Sequence, residues 1–391
     1  MKLKERKEIH LFKAHLDIDL ALVYLRDTLE SGFLNEGQQV TELTNEFSRI
    51  LKSDQLILVN SCTSALTMAL KLAGVGFGDD VVTTSMTCVA TNMPIKNVGA
   101  NIVWADVDSD TGMISAETLR AAITPKTKAV MVVLWAGNPS ELDEIRNVCE
   151  INDVKLILDA AHAMCAKYDG RPIHEFGHFS CYSFQAIKHV TTGDGGALVC
   201  SDMNDHLQSK KMKWFGLDRD RAKDEKGNWK GQQWDVDIED IGYKFNLNNI
   251  SAAIGLSQVS HVGKIMSKHK ANSASYDELF KTTNLVEPIK KDPKADGSSW
   301  VYTIVLCDKL ASKRDEILKR LNDEGIRAGV VHVPNHEYTV FRDEHKDLPG
   351  VKRFFDRQFS LPCGWWMRKY DVSYVFDRLI SHVETCTKEL E

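Results

Sequence analysis

Apolar and polar positions alternate along the chain in two rhythms. Residues 14–52 carry leucines and valines at helical spacing on either side of Ser31-Gly32, which predicts helices flanking a turn. From residue 54, short apolar runs recur with strand-like length at 55–59, 81–85, 101–105, 129–134, 155–158, 179–184 and 197–200. Helical patterns fill the earlier gaps at 65–72, 116–122 and 142–150. This alternation predicts an α/β fold: a large, mostly parallel sheet with helices on both faces. Loops rather than helices separate the closing strands, so one of them is expected to run antiparallel. Residues 218–237 break the rhythm. Rich in Lys, Arg, Asp, Gly and Gln around Trp229 and Trp234, they read as an exposed loop, with a cover over the substrate as the alternative. After 250–254 the chain turns helical, then shows strands at 300–306 and 327–333 separated by a helix at 311–322. The division expected is a large domain of residues 1–256 and a small C-terminal α+β domain of residues 257–391.

Composition narrows the function classes. A chain of 391 residues, 43% apolar, has material for a large core. A net charge of −6 argues against nucleic acid as the main partner. The longest apolar stretch, 56–77, is interrupted by Asn60 and Lys71, so no membrane span is expected. Met1 to Lys7 is charged and lacks the apolar centre of a signal peptide. Nine cysteines without a CxxC pair read as reduced thiols in the cytoplasm.

Three segments carry candidate chemistry. Lys188 lies between two buried strand patterns and before the turn Gly193-Asp194-Gly195-Gly196. Partial burial favours the neutral amine, which can attack a carbonyl to form an imine; a lysine snorkelling from a strand end is the bland alternative. The apolar run 156–158 ends in Asp159, followed by Ala160-Ala161-His162. A carboxylate at a strand's C-terminal end faces the crevice of an open sheet, where it can pair with a pyridine nitrogen. At the end of the first strand pattern, Ser61-Cys62-Thr63-Ser64 opens a helix, so free amides and the Thr63 and Ser64 hydroxyls make a phosphate cup. Cup, carboxylate and lysine stand in the order used by enzymes of pyridoxal 5′-phosphate (PLP).

Other signals fail on their surroundings. Gly74-Val75-Gly76-Phe77-Gly78 follows a helix, the wrong order for a dinucleotide loop. Asp106-x-Asp108-x-Asp110 resembles a calcium loop but has Thr111 where the turn demands glycine. His174 and His178 lack a third ligand, so no metal is expected.

The chain resembles the DegT/DnrJ/EryC1/StrS family of PLP-dependent nucleotide-sugar aminotransferases over nearly its whole length. The residues that carry the resemblance are Ser31 to Gly37, Ser61 to Leu66, Asp106-Val107-Asp108, Ile123 to Lys128, Asp159 to Ala163, Ser183-Phe184 with Lys188, Gly193 to Gly196, Gly242 to Leu247 and Ser360-Leu361-Pro362. It implies the aspartate aminotransferase-like fold type I and a homodimer with active sites built from both chains. It also implies glutamate as amino donor and a nucleotide-linked deoxysugar as keto acceptor.

By the same resemblance Lys188 holds the cofactor and moves the proton, and its retention beside His189 favours transamination over dehydration. Asp159 pairs with the pyridine nitrogen, His162 contacts the ring or its 3-hydroxyl, and Ser183 joins Thr63 and Ser64 at the phosphate. Two positions depart from the family. Cys88 stands where an aromatic ring usually stacks, with Trp135 as a candidate substitute. Lys244 and Asn246 stand where asparagine and arginine are common, in a segment that reaches the partner subunit's phosphate. His332 and His336 fall in the sugar pocket, with His336 favoured for substrate contact. The rival readings are a PLP-dependent sugar dehydratase or aromatising enzyme, and a non-catalytic regulator on the same fold.

Overall fold

The computed structural model describes residues 8–219, 237–344 and 347–391, so most of the expected 218–237 loop lies outside the described residues. Two helices open the fold, α1 (Ile18–Ser31) and α2 (Gln38–Leu51). The Asp17 carboxylate caps α1 by accepting from the Leu20 amide at 3.1 Å. Gly32, at φ +68°, ends that helix in the left-handed region that residues with a Cβ avoid.

The sequence then builds the large sheet. Its elements are β1 (Leu56–Val59), α3 (Cys62–Leu72), β2 (Asp80–Thr84), α4 (Val89–Asn97), β3 (Asn101–Ala105), α5 (Ala116–Ala122), β4 (Thr127–Val133), α6 (Leu142–Ile151) and β5 (Lys155–Asp159). Two short strands follow, β6 (Lys167–Tyr168) and β7 (Arg171–Pro172), then β8 (Phe179–Ser183) and β9 (Gly196–Cys200). The strand order is β1-β9-β8-β5-β4-β2-β3. Only β9 runs against its neighbours, as the loop between the last two strand patterns implied. Side chains alternate between two cores: Leu56 and Leu58 join α2, α5 and α6 on one face, while Ile57 and Val59 join α3 on the other. Burial on both faces explains why these strands read as unbroken apolar runs.

Helices α7 (Met203–Met212) and α8 (Asn249–Leu256) precede the long α9 (Val262–Phe280). Beyond them stand β10 (Val286–Pro288), β11 (Ala295–Asp296), β12 (Tyr302–Leu306), α10 (Arg314–Asp323), α11 (Pro349–Arg357), β13 (Gln358–Leu361) and α12 (Lys369–Lys388). A three-stranded sheet in the order β10-β12-β13 packs with α9, α10 and α12 around a third core, which also receives Ile9.

Two sequence expectations need correction here. Residues 327–333 form no strand. Ile326 pairs once with Ile9, Gly329 once with Ser360, and Pro334 once with Met86. The segment crosses from the small sheet to the loop after β2, so it never lies along one strand long enough to build a ladder. The expected helix at 311–322 starts later, because 308–313 is wound as a 3₁₀ segment before α10. Two aspartates of the calcium-like stretch, Asp106 and Asp108, bond main-chain amides. Asp106 accepts from the Gly350 and Val351 amides at 2.8 Å each, capping α11, and Asp108 accepts from the Asp110 and Thr111 amides. No helix among the described residues is long and apolar enough to cross a membrane.

Candidate active site

Strands β1, β5 and β8 end at the same edge of the sheet, and the chemistry-bearing residues gather there. Ser61 caps α3: its Oγ accepts from the Ser64 amide at 3.1 Å, and the two hydroxyls lie 2.9 Å apart. Ser64 in turn donates to Asn60 Oδ1 at 2.6 Å. Thr63, half-buried, sits on the first turn beside the helix amides that have no intrahelical partner. Gly196, at the start of β9, passes so close that a Cβ there would lie 2.5 Å from the Cys62 nitrogen and 2.6 Å from the Ser61 carbonyl carbon. Main chain on both sides cannot yield, so only glycine closes this corner.

Asp159 ends β5 and is 5% exposed. Its Oδ2 accepts from Thr91 Oγ1 at 2.7 Å and its Oδ1 from the Ala161 amide at 3.1 Å. Thr91 is itself 2.8 Å from Thr87 Oγ1, so two buried hydroxyls of the 87–91 turn back the carboxylate. Burial nonetheless wins over these bonds and over the nearby Lys188 charge, holding the carboxyl above its ordinary value of 3.8.

Lys188 rides the loop that joins β8 to β9. The Phe184 amide donates to the Gly195 carbonyl and the Thr192 amide to that of Phe184, closing the loop as a hairpin. Gln258 pins it from outside, its Oε1 accepting from the Thr191 amide. Ser183, half-buried at the end of β8, accepts from the Gln185 amide at 3.3 Å. Part of Lys188 faces the cleft, but its amine lies deep enough that desolvation pulls it down to about 8, against the pull of Asp159. The amine sits 3.8 Å from the ring centroid of Trp300.

Trp300 also stacks on His162, 3.9 Å between centroids at 18°. His162 in turn lies parallel to His332 at 5.5 Å, and Trp135 meets His332 edge-on at 5.6 Å. Burial and the Lys188 charge push His162 well below its ordinary value and His332 down to about 3, so both imidazoles are neutral. His162 Nδ1 and His332 Nε2 are buried without a hydrogen-bond partner. His336 Nδ1 lies 2.9 Å from Ser85 Oγ. His332 adjoins the lysine, whose charge acts on it. Cys88 is half-buried at the start of α4, close to the Lys188 amine.

Lys244 and Asn246 are not brought to the lysine. Lys244 Nζ lies 3.5 Å from the Trp214 ring centroid and donates to Asn246 Oδ1 at 2.5 Å. Asn246 Nδ2 donates to Asn35 Oδ1 at 3.0 Å. Their segment adjoins the turn that opens α3, because the Asn60 amide donates to the Phe245 carbonyl at 2.8 Å. Sequence reasoning missed Thr91 and Trp300. Each acts on a residue far away in the chain, and no local pattern marks either.

The DegT/DnrJ/EryC1/StrS aminotransferase family matches residues 18–380. The chain belongs to this family. It is 31% identical over 360 residues to the spore coat polysaccharide biosynthesis protein SpsC of Bacillus subtilis (strain 168), covering 90% of this chain and 91% of that one. Among solved structures, the sugar aminotransferase CalS13 from Micromonospora echinospora superposes with TM-score 0.87 at 32% identity, over 95% of this chain and 99% of that one. Helicobacter pylori PseC, an aminotransferase involved in the biosynthesis of pseudoaminic acid, gives TM-score 0.87 at 26% identity, over 97% and 100%. The fold is that of the fold-type-I PLP enzymes, and the cofactor is PLP.

The residues present suit that group. A buried carboxylate above its ordinary value needs a cation, which a protonated pyridine supplies. Two buried imidazole nitrogens lack a hydrogen-bond partner, which a polar ligand beside the lysine would supply.

Proposed function

We propose that the protein moves an amino group from glutamate to a keto group of a nucleotide-linked deoxysugar, as a cytoplasmic homodimer. The observation that carries this reading is the meeting of Lys188 and Asp159 in one cleft, beside the α3 cradle. The likeness to a sugar aminotransferase at 32% identity supports a sugar acceptor. When bound, PLP supplies the electron sink for breaking a C–H bond next to nitrogen.

Each side chain then has a task. Thr63, Ser64 and Ser183, with the first amides of α3, hold the phosphate. Asp159 keeps a proton on the pyridine nitrogen, and Thr91 orients the carboxylate. Lys188 is the amine that would hold the aldehyde group of PLP and that, when free, would carry the proton to and from the substrate carbon. Its amine, lowered to about 8, is close enough to neutrality to do both. Neutral His162 and His332 offer hydrogen bonds without adding positive charge beside the lysine. His336, tied to Ser85, lines the outer cleft for the sugar.

The dimer reading draws support from an uncovered apolar face. Ile18, Leu22, Val23 and Leu29 of α1, with Phe33, are each more than half exposed. Lys244 stands beside the phosphate corner, aimed by Asn246, where a point charge can meet the partner subunit's phosphate. Residues 1–256 serve on this reading as the PLP-binding domain and 257–391 as the smaller one that adds Trp300 and His332. The test is spectroscopic. Purified protein should show the visible-edge absorbance of lysine-bound PLP, and Lys188→Ala should lose it. An unchanged spectrum rejects the assignment. Formation of 2-oxoglutarate in step with aminated sugar separates transamination from dehydration.

A further inference from the structure

Aminotransfer requires the lysine to leave the cofactor and return, so its amine needs a second resting position. We propose that the face of Trp300 is the seat of the Lys188 amine whenever it is not bonded to the cofactor, which makes Trp300 a positioning residue. This rests on the function proposed above.

The geometry ties one indole to both ends of the lysine. The amine lies 3.8 Å from the ring centroid, and the indole Nε1 donates at 2.9 Å to the carbonyl of Ile187, the residue before Lys188. Trp300 is 2% exposed and has little freedom to move. Its amide donates to the Ala136 carbonyl at 3.0 Å, and Phe12 and His162 stack against the ring. The residues before it are fixed as well. The Ser298 amide donates to the Gly137 carbonyl at 2.9 Å and Ser298 Oγ to the His162 carbonyl at 2.5 Å. His189 and His269 meet the carbonyls of Ser298 and Ser299 at 3.1 and 2.9 Å.

The titratable groups nearest the amine are Asp159, Cys62 and Cys88, and its charge in turn lowers the His162, His189 and His332 imidazoles. Of these only Asp159 offers a full negative charge, and on this reading bound PLP engages it. The electron-rich indole face then remains as the counterpart of an ammonium group shut away from water. A lysine held there cannot wander into the substrate's place, and it returns along one path.

The test uses the full-length enzyme loaded with PLP and converted by excess glutamate to the amine form of the cofactor, which frees Lys188. Reductive methylation of Lys188, read by peptide mass spectrometry across pH, gives the midpoint at which its amine becomes reactive. The ring stabilises the charged form, so in Trp300→Leu the midpoint should fall by about one pH unit. kcat should fall about tenfold with KM unchanged, since the seat touches the lysine and not the substrate. Trp300→Phe keeps a ring but lacks the indole N–H. Its midpoint should stay within about half a unit of wild type, and it carries the test if the leucine variant does not fold. An unchanged or raised midpoint in Trp300→Leu overturns the proposal, because water then serves the amine better than the ring. So does a full-unit fall in Trp300→Phe. Failure of the underlying reading looks different: wild-type protein would show no visible band and no lysine released by glutamate.

Discussion

Thr91→Val isolates one bond in the proposed cofactor grip. The substitution keeps shape and removes the hydroxyl that donates to Asp159 Oδ2 at 2.7 Å. A hydrogen bond to a buried charge contributes about 1.5–3 kcal/mol. At about 1.4 kcal/mol per pKa unit, its loss should raise the Asp159 carboxyl by a further one to two units above a value that burial already holds high. PLP requires the ionised carboxylate, so binding to the apoprotein, followed by tryptophan fluorescence from pH 5 to 9, should lose its acid limb at correspondingly higher pH. The stability sign follows. Ionising Asp159 in the folded apoprotein costs stability, a cost absent below the ordinary 3.8 and complete above the folded value. The variant should therefore melt lower than wild type chiefly at neutral and alkaline pH. Thr87 complicates this by losing its partner 2.8 Å away, a pH-independent cost of about 1 kcal/mol. Thr91→Ser keeps the donor and should restore the wild-type profile. An acid limb that stays put in Thr91→Val, or moves equally in Thr91→Ser, refutes the reasoning.

Two further predictions test other parts of the site. Gly196→Ala places a methyl 2.5 Å from the Cys62 nitrogen, so the corner before α3 must open; if that corner holds the phosphate as proposed, PLP affinity should fall more than tenfold, and the melting temperature should drop by several degrees. Leu22→Asp with Leu29→Asp charges the uncovered face of α1, and light scattering should report a monomer with little activity; an intact dimer would place the interface elsewhere.

The parts of this molecule legible in the sequence are those written locally. Alternating apolar runs gave the seven-strand sheet, because two covered faces leave no polar positions to confuse the period. The lone antiparallel strand was legible because a loop, not a helical pattern, joins the last two strand runs. Asp159 declared itself by ending an apolar run, and Thr63 and Ser64 by opening a helix pattern. The small sheet was less legible. Residues 327–333 look like a strand by composition, yet that segment is pulled between two sheets, and no local pattern encodes a partner. Trp300 escaped for the same reason: it lies 112 positions from Lys188, and an indole inside an apolar run reads as core. His332 and His336 share a motif that cannot tell which faces inward. Trp135 stands edge-on to His332, a contact that no local pattern announces.

The anchors proposed for the cofactor lie at the ends of β1, β8 and β5, within the four adjacent strands β1-β9-β8-β5. Strand spacing is about 4.8 Å and is fixed by main-chain ladders, so the sheet works as a ruler that mutation cannot stretch. Adjustment has to come from the connecting turns at this edge, above all the hairpin carrying Lys188 and the bend through Ser85 and Cys88. A new acceptor can therefore be accommodated by remodelling those turns while the distance between phosphate grip and ring grip stays the same.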